Sequence, residues 1–187
     1  MSPRPPARLA PGGLKRAPSN PFWRFSLRSW RAAGVQQACL GLQERCGADV
    51  NLLLYCAWAG QEGRRLDRRS LGVAMRRVGA WQSEVIAPLR LARRGLKQQR
   101  AASAAALLAP DFRKRLAALE LELERAEQAL LADLGAQWTP ARVATPPRQA
   151  IAASLACYLG LLEKPAGPHE LADVARIAQA CSPAGPS

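Results

Sequence analysis

The sequence is poor in the residue that enzymes most often use for proton transfer. Its 187 residues include one histidine, His169, which lies between Pro168 and Glu170 where a short terminal helix is predicted to start. A Ser-His-Asp or Cys-His relay needs a histidine beside its nucleophile, and we expect His169 to be an exposed capping residue. The sequence therefore offers no catalytic histidine.

Ligand sets for metals and cofactors are also missing. The five cysteines include no Cys-x-x-Cys pair, whereas a zinc site needs about four Cys or His ligands with paired spacing. Gly12-Gly13 and Gly60-x-x-Gly63 lack the flanking strand and lysine of a phosphate loop. We therefore predict no metal, no cofactor and no enzymatic activity.

Signals for export and membrane insertion are lacking as well. Residues 1–19 contain five prolines and four basic residues but no apolar segment of signal-peptide length. No apolar run approaches the roughly 20 residues that span a bilayer. The odd number of cysteines, three of them at apolar helical positions, is typical of a reducing compartment. These features predict a cytoplasmic protein, and we expect the cell to be bacterial.

Helical patterning is present along the chain, and no stretch shows the alternation that is typical of strands. The most apolar run, residues 49–60, carries no charge after Asp49, which is a good N-cap. Gly60 and Gly63 are predicted to end this helix. A helix that is apolar nearly all round must be surrounded by other elements. We predict an all-α fold, a single compact helical domain of six or seven helices around this central helix.

The helical domain is predicted to cover residues 20–162. Residues 1–19 form a disordered basic arm in this prediction, because a proline-rich segment of low hydrophobicity cannot bury enough surface to offset its ordering entropy. Residues 163–187 form a proline- and glycine-rich tail with a short helix. Asn20 and Pro21 mark the first helix as its N-cap and its first residue.

A long antiparallel helical hairpin is predicted after the central helix. Its first helix begins at the cap Asp67 and bends at Pro88. The apolar positions of this helix are Val78, Trp81, Val85, Leu89, Ala92 and Leu96. Those of the second helix are Phe112, Leu116, Leu119, Leu123, Ala126 and Leu130. The alternating spacings of three and four are typical of helix packing, and the acidic residues from Glu120 to Glu127 should lie near arginines of the first helix.

Positive charge is concentrated in the first half of the chain. Lys and Arg total 27 against 14 Asp and Glu, a net charge of +13, whereas residues 101–187 hold 8 basic and 9 acidic residues. A charge of this sign suits an anionic partner. The predicted interaction surface lies on helices within residues 24–31 and 68–97. It comprises Arg24, Arg28, Arg31, Arg69, Arg76, Arg90, Arg94 and Lys97.

A possible pocket combines aromatic and polar side chains. Asn51 is an amide in an apolar helix and needs hydrogen-bond partners if it is buried. A bond to the preceding loop is its simplest role, and contact with a ligand is the alternative. Asp49 and Glu84 are the acidic candidates, although Asp49 is explained by capping and Glu84 by a partner in Arg77. The full set is Trp23, Asp49, Asn51, Tyr55, Trp58, Trp81 and Glu84.

Several motifs resemble those of an uncharacterised family of small cytoplasmic proteobacterial proteins. They are Asn20-Pro21-Phe22-Trp23, the run from Asp49 to Leu54 with Trp58, Leu89-Arg90 with Arg93-Arg94 and Lys97, and Leu119-Glu120 to Glu124. The resemblance covers about residues 20–162. It implies a single helical domain of unknown function with no established catalytic residues.

Three functions fit these observations. The first is a non-catalytic helical module that binds another protein through the basic face. The second is nucleic-acid binding through the same arginines, with an affinity that falls steeply with salt. The third is a pocket for a small hydrophobic ligand. The sequence leaves the oligomeric state open.

Overall fold

Helices and short connections make up all of the chain that the computed structural model describes, which is residues 20–98, 104–137 and 145–183. The elements are α1 Pro21–Trp30, α2 Val35–Cys46, α3 Val50–Gln61, α4 Arg68–Trp81, a π-helical segment Gln82–Ile86, α5 Ala87–Gln98, α6 Ala104–Ala136, α7 Pro147–Leu159 and α8 Pro168–Cys181. Because α4, the π-helical segment and α5 are continuous, these residues form seven helical rods. The predicted all-α class is confirmed, with no strand in the described ranges.

Local sequence signals set several helix boundaries. The Asn20 side chain accepts a hydrogen bond from the Trp23 amide at 2.7 Å, and Asp67 accepts one from the Ser70 amide at 2.8 Å. Both caps satisfy amides that have no partner within the helix. Gly47 ends α2 with a φ of 69°, a left-handed conformation that suits glycine.

Helix α3 is the centre of the structure. Every residue from 51 to 60 is buried, and α3 contacts α1, α2, α6, α7 and α8. This arrangement confirms the predicted central apolar helix. Its surroundings come from distant parts of the chain, because α7 and α8 follow α3 by about a hundred residues.

Gly60 has a different role from the predicted one. It lies inside α3, which continues to Gln61, and the left-handed glycine after the helix is Gly63, with a φ of 76°. A Cβ added to Gly60 would lie 2.6 Å from the backbone nitrogen and 2.8 Å from the Cα of Ile151 in α7. The absence of a side chain at Gly60 therefore lets the backbones of α3 and α7 approach closely.

The π-helical segment changes the register of the rod that contains Pro88. Pro88 cannot donate a backbone hydrogen bond, and its ring would clash with the preceding turn of a regular helix. The Ala87 amide instead donates to the Gln82 carbonyl, five residues earlier. The wider turn acts as an insertion of about one residue. Ile86 is consequently buried and Ala92 exposed, in contrast to the predicted apolar stripe.

Helices α5 and α6 form the predicted antiparallel hairpin, but the contact face of α6 differs from the predicted one. Phe112 and Leu119 are 45% and 38% exposed. Glu120 is buried instead, facing Arg90 and Arg93 of α5. Because these ion pairs occupy the interface, α6 turns two of its predicted apolar positions toward solvent.

Helix α8 is packed against α2 and α7, although the sequence analysis assigns it to the tail. It buries Val174 and Ile177, and its Glu170 and Asp173 both pair with Arg45 of α2. None of the described helices combines the length and apolarity that crossing a membrane requires. The predicted disordered arm, residues 1–19, lies outside the described residues.

Gly60→Ala should lower the free energy of unfolding by about 1–3 kcal/mol, because the added methyl group forces α3 and α7 apart. Urea denaturation followed by circular dichroism measures this change. Gly79→Ala is the matched control, since Gly79 is exposed in α4 and an added Cβ there meets nothing within 4 Å. The control should stabilise the protein by up to about 1 kcal/mol. Equal effects of the two substitutions would contradict the packing role of Gly60.

Candidate functional site

Asn51 is the one buried amide side chain of α3, and its hydrogen bonds are made with α6. The side-chain nitrogen donates to Glu127 Oε2 at 2.7 Å, and the side-chain oxygen accepts from Gln128 Nε2 at 2.7 Å. Asn51 is 5% exposed and Glu127 is fully buried. Asn51 therefore joins α3 to α6, and the predicted bond to the preceding loop is wrong.

Asp49 extends the same group of hydrogen bonds to α7. Its carboxylate accepts from the Asn51 amide at 2.7 Å, which confirms its predicted capping role. Its own backbone amide donates to the hydroxyl oxygen of Tyr158 at 2.8 Å. Burial raises the pKa of Tyr158, so this hydroxyl stays protonated. Asp49, Asn51, Glu127, Gln128 and Tyr158 together form the buried polar cluster.

Glu127 is protonated within the buried polar cluster. Burial, followed by the negative charge of Asp49, raises the pKa of Glu127 to about 9. At neutral pH the Glu127 carboxyl is therefore uncharged. An uncharged carboxyl costs less free energy to bury than a carboxylate.

The buried polar cluster has the groups for acid–base chemistry but little access to a substrate. Two neighbouring carboxyls can act as acid and base when a substrate lies within hydrogen-bond reach. All five members of the cluster are at most 9% exposed. Their hydrogen bonds join three helices, so the cluster positions α3, α6 and α7 relative to one another.

Two of the predicted pocket aromatics pack against α1. The ring of Phe22 stacks on Trp58 with centroids 5.2 Å apart and meets the edge of Tyr55 at 5.8 Å. All three side chains are at most 7% exposed. These contacts fill the space between α1 and α3.

The other predicted pocket residues lie elsewhere. The guanidinium of Arg125 lies 5.3 Å from the centre of the Trp23 ring, and Trp81 Nε1 donates to the Leu123 carbonyl at 3.1 Å. These contacts attach α1 and α4 to α6. Glu84 is exposed in the π-helical segment. The structure therefore brings together Asp49 and Asn51, but it does not assemble the seven predicted residues into one pocket.

Arg90 belongs to the hairpin interface rather than to the predicted interaction surface. It donates to Glu120 at 2.9 Å and also to Glu124, while Arg93 donates to Glu120 at 2.6 Å. Burial alone would raise the pKa of Glu120, but the hydrogen bonds from Arg93 and Arg90 outweigh it and lower that pKa. We call these four residues the ionic seam. The register change in the π-helical segment turns Arg90 toward α6, which interrupts the predicted basic stripe.

The remaining predicted surface residues are exposed. They are Arg24 and Arg28 on α1, Arg31 at the C-cap of α1, Arg69 and Arg76 on α4, and Arg94 and Lys97 on α5. On α4 the exposed Val73 lies among Arg69, Arg76 and Arg77, and we call these four residues the α4 patch. On α1 the exposed Leu27 lies among the three arginines, which form the α1 patch with it. Val73 is 41% and Leu27 is 42% exposed, so each patch has an aliphatic centre.

A sequence model of a family described as protein of unknown function (DUF2390) matches residues 21–131, more than half of the chain. The chain belongs to this family. The DUF2390 region begins with α1 and ends within α6, so it contains Asp49, Asn51, Glu127 and Gln128 but not Tyr158. The predicted membership of an uncharacterised family is confirmed. No curated protein and no solved structure matches the chain.

The sequence analysis missed the α6 and α7 members of the buried polar cluster. It placed Glu127 among the acids that face arginines, whereas the structure places it in the core of the DUF2390 region. A signal was available, because Glu127 follows Ala126 of the predicted apolar stripe and so lies near the buried face of α6. Asn51 needed partners, but spacing alone could not show which helix supplies them.

Glu127→Gln should stabilise the protein increasingly as the pH rises. In the native chain the Glu127 carboxyl loses its proton near its ordinary pKa of 4.5 when the chain is unfolded, and near a pKa of about 9 when it is folded. The folded state therefore binds more protons than the unfolded state between these pH values. The free energy of unfolding falls there as the pH rises, by up to about 1.4 kcal/mol per pH unit for one proton. Glutamine keeps a side-chain oxygen that can accept from Asn51, but it does not titrate. Urea denaturation from about pH 5 to about pH 9 tests this linkage.

Exposed Glu84 provides the control for that experiment. Glu84→Gln should leave the pH dependence of stability parallel to that of the native chain. A Glu127→Gln profile that is also parallel would contradict a protonated Glu127.

Arg90→Gln should destabilise the hairpin by about 1–3 kcal/mol, because two poorly hydrated carboxylates lose their shared partner. The Arg90 side chain is 18% exposed and that of Glu120 is 9% exposed. Arg94→Gln removes the same charge from an exposed position of the same helix and should change stability by less than about 0.5 kcal/mol. Thermal and urea unfolding compare the two variants, and equal losses would rule out the ionic seam as the cause.

Proposed function

We propose that this DUF2390 protein is a non-catalytic helical module that binds an acidic surface of another protein. The α4 patch is the observation that carries the proposal. Arg69, Val73 and Arg76 recur at spacings of four and three residues, so they lie on one face of α4. That face points away from the buried residues Leu71, Ala74 and Val78.

The aliphatic centre of the patch favours a protein partner over nucleic acid. Protein interfaces combine apolar contacts that lose water with arginines that pair with acidic residues. A phosphate backbone binds the arginines but has no apolar group for Val73, and the same reasoning applies to Leu27 in the α1 patch. Both patches therefore suit a partner that presents acidic residues around an apolar side chain.

The buried polar cluster supports the non-catalytic part of the proposal. Its two acids accept hydrogen bonds from Asn51, and all five of its members are buried among α3, α6 and α7. We also propose a cytoplasmic location in a proteobacterium. The five free cysteines, four of them buried, support a reducing compartment because free thiols are kept reduced there.

Charge reversal on the α4 patch tests the proposal. Tagged full-length protein with Arg69→Glu and Arg76→Glu should lose at least about 10-fold in the recovery of a specific protein partner, because repulsion replaces two favourable pairs. Affinity capture with quantitative mass spectrometry, run with and without nuclease and at low and high salt, measures this loss.

The matched control reverses Lys114 and Arg115, which are exposed on α6. Lys114→Glu with Arg115→Glu changes the net charge equally and should retain the partner. Loss of every partner after nuclease treatment would indicate nucleic-acid binding instead. Equal recovery with the patch variant and the control would contradict the α4 patch as the interface.

A further inference from the structure

A cavity of about 330 Å³ opens between α1, the end of α3 and the end of α8. Phe25, Ala32 and Ala180 form part of its apolar wall, and Arg28, Gln61 and Cys181 supply polar groups. None of the described residues that line it is acidic. Its volume lies at the lower end of the range for small-molecule sites, about 300–1,000 Å³.

Arg28 is held at this cavity by two neighbours. Its guanidinium donates to Gln61 Oε1 at 3.1 Å and lies 5.7 Å from the centre of the Phe25 ring. Arg28 itself forms no ion pair with any other described residue. A guanidinium has five N–H donors, so Arg28 keeps donors for an anion.

The floor of the cavity adds no competing negative charge. Burial raises the pKa of the Cys181 thiol, which also interacts with Ser29 and with the positive charge of Arg28. The thiol is therefore neutral at physiological pH. Arg28 is the charged group of the described lining, and apolar surface faces it.

We propose that this cavity binds a carboxylate that carries a compact aliphatic group. The carboxylate pairs with Arg28, whose planar guanidinium matches its two oxygens. The aliphatic group packs against Phe25, Ala32 and Ala180. A phosphate group would need several cationic or backbone donors, whereas the described lining offers one guanidinium beside an apolar wall. This site does not depend on the protein-binding function proposed for the α4 patch.

The test uses 4-methylpentanoate and its neutral amide, which share a shape but differ in charge. Titrations of the full-length protein, followed by ¹H–¹⁵N NMR, should give saturable shifts of the Ser29 and Cys181 amides with the acid. The amide should bind at least about 10-fold more weakly, as expected when an ion pair of about 1.4 kcal/mol is lost. A peptide that ends in leucine, with a free or an amidated terminus, distinguishes a protein carboxylate from a free acid.

Two variants test the charge of Arg28 and the shape of the cavity separately. Arg28→Gln removes the charge and should weaken binding at least about 10-fold. Arg31→Gln is the control, because Arg31 is exposed at the C-cap of the same helix and does not line the cavity. Ala180→Leu fills the cavity without changing Arg28 and should abolish binding. Ala180 is partly exposed, so thermal melts should show that this variant folds.

Three results would overturn the proposal. They are equal binding of the acid and the amide, equal weakening by Arg28→Gln and Arg31→Gln, and binding that survives Ala180→Leu. None of them involves Arg69 or Arg76, so the outcome is independent of the α4 patch.

Discussion

Helix α3 must bury nearly its whole circumference, and the other helices are arranged around that requirement. Five helices contact it, and Gly60 lets the backbone of α7 approach directly. The difficulty in such a helix is its polar start, where backbone amides and the side chains of Asp49 and Asn51 leave water together. In the buried polar cluster, α6 and α7 provide hydrogen-bond partners for the Asn51 side chain and the Asp49 amide, and Glu127 is uncharged. A buried amide or carboxyl without such partners would cost free energy comparable to a large fraction of the stability of a domain.

The hairpin of α5 and α6 depends on ion pairs. Its interface contains the ionic seam, where charge pairing specifies which faces of α5 and α6 meet. The π-helical segment before Pro88 makes this pairing possible, because it rotates α5 relative to α4 and turns Arg90 toward α6. The predicted surface residues that remain exposed are therefore divided between the α1 patch, the α4 patch and the pair Arg94 and Lys97 on α5. The α4 patch, with its aliphatic centre, and the cavity beside Arg28 are separate sites.

The match to DUF2390 places the chain in a family without assigning it a chemistry. The matched region contains the α3 and α6 members of the buried polar cluster, the ionic seam and both patches. The interior groups in that region hold helices together, and the arginines of the two patches are exposed. Surface recognition is consequently the function that we propose.

Much of the fold could be predicted from the sequence. The caps Asn20, Asp49 and Asp67, the stop at Gly47 and the buried α3 all follow from local hydrogen bonding and the apolar pattern, which depend on nearby residues. The candidate site was predicted only in part. Asp49 and Asn51 could be named as polar residues that need explanation, but their partners Glu127 and Tyr158 lie 76 or more residues away along the chain.

Tertiary structure alone decided the rest. The sequence by itself determined which segments are helical, which of them is most apolar and where positive charge accumulates. The three-dimensional packing decided that Glu127 is protonated in the core and that Arg90 belongs to the ionic seam. It also decided that Gly60 lies where α3 and α7 meet. The physical reason is that burial, charge pairing and close backbone approach depend on which residues meet in space, and periodicity specifies a face of a helix without specifying what covers it.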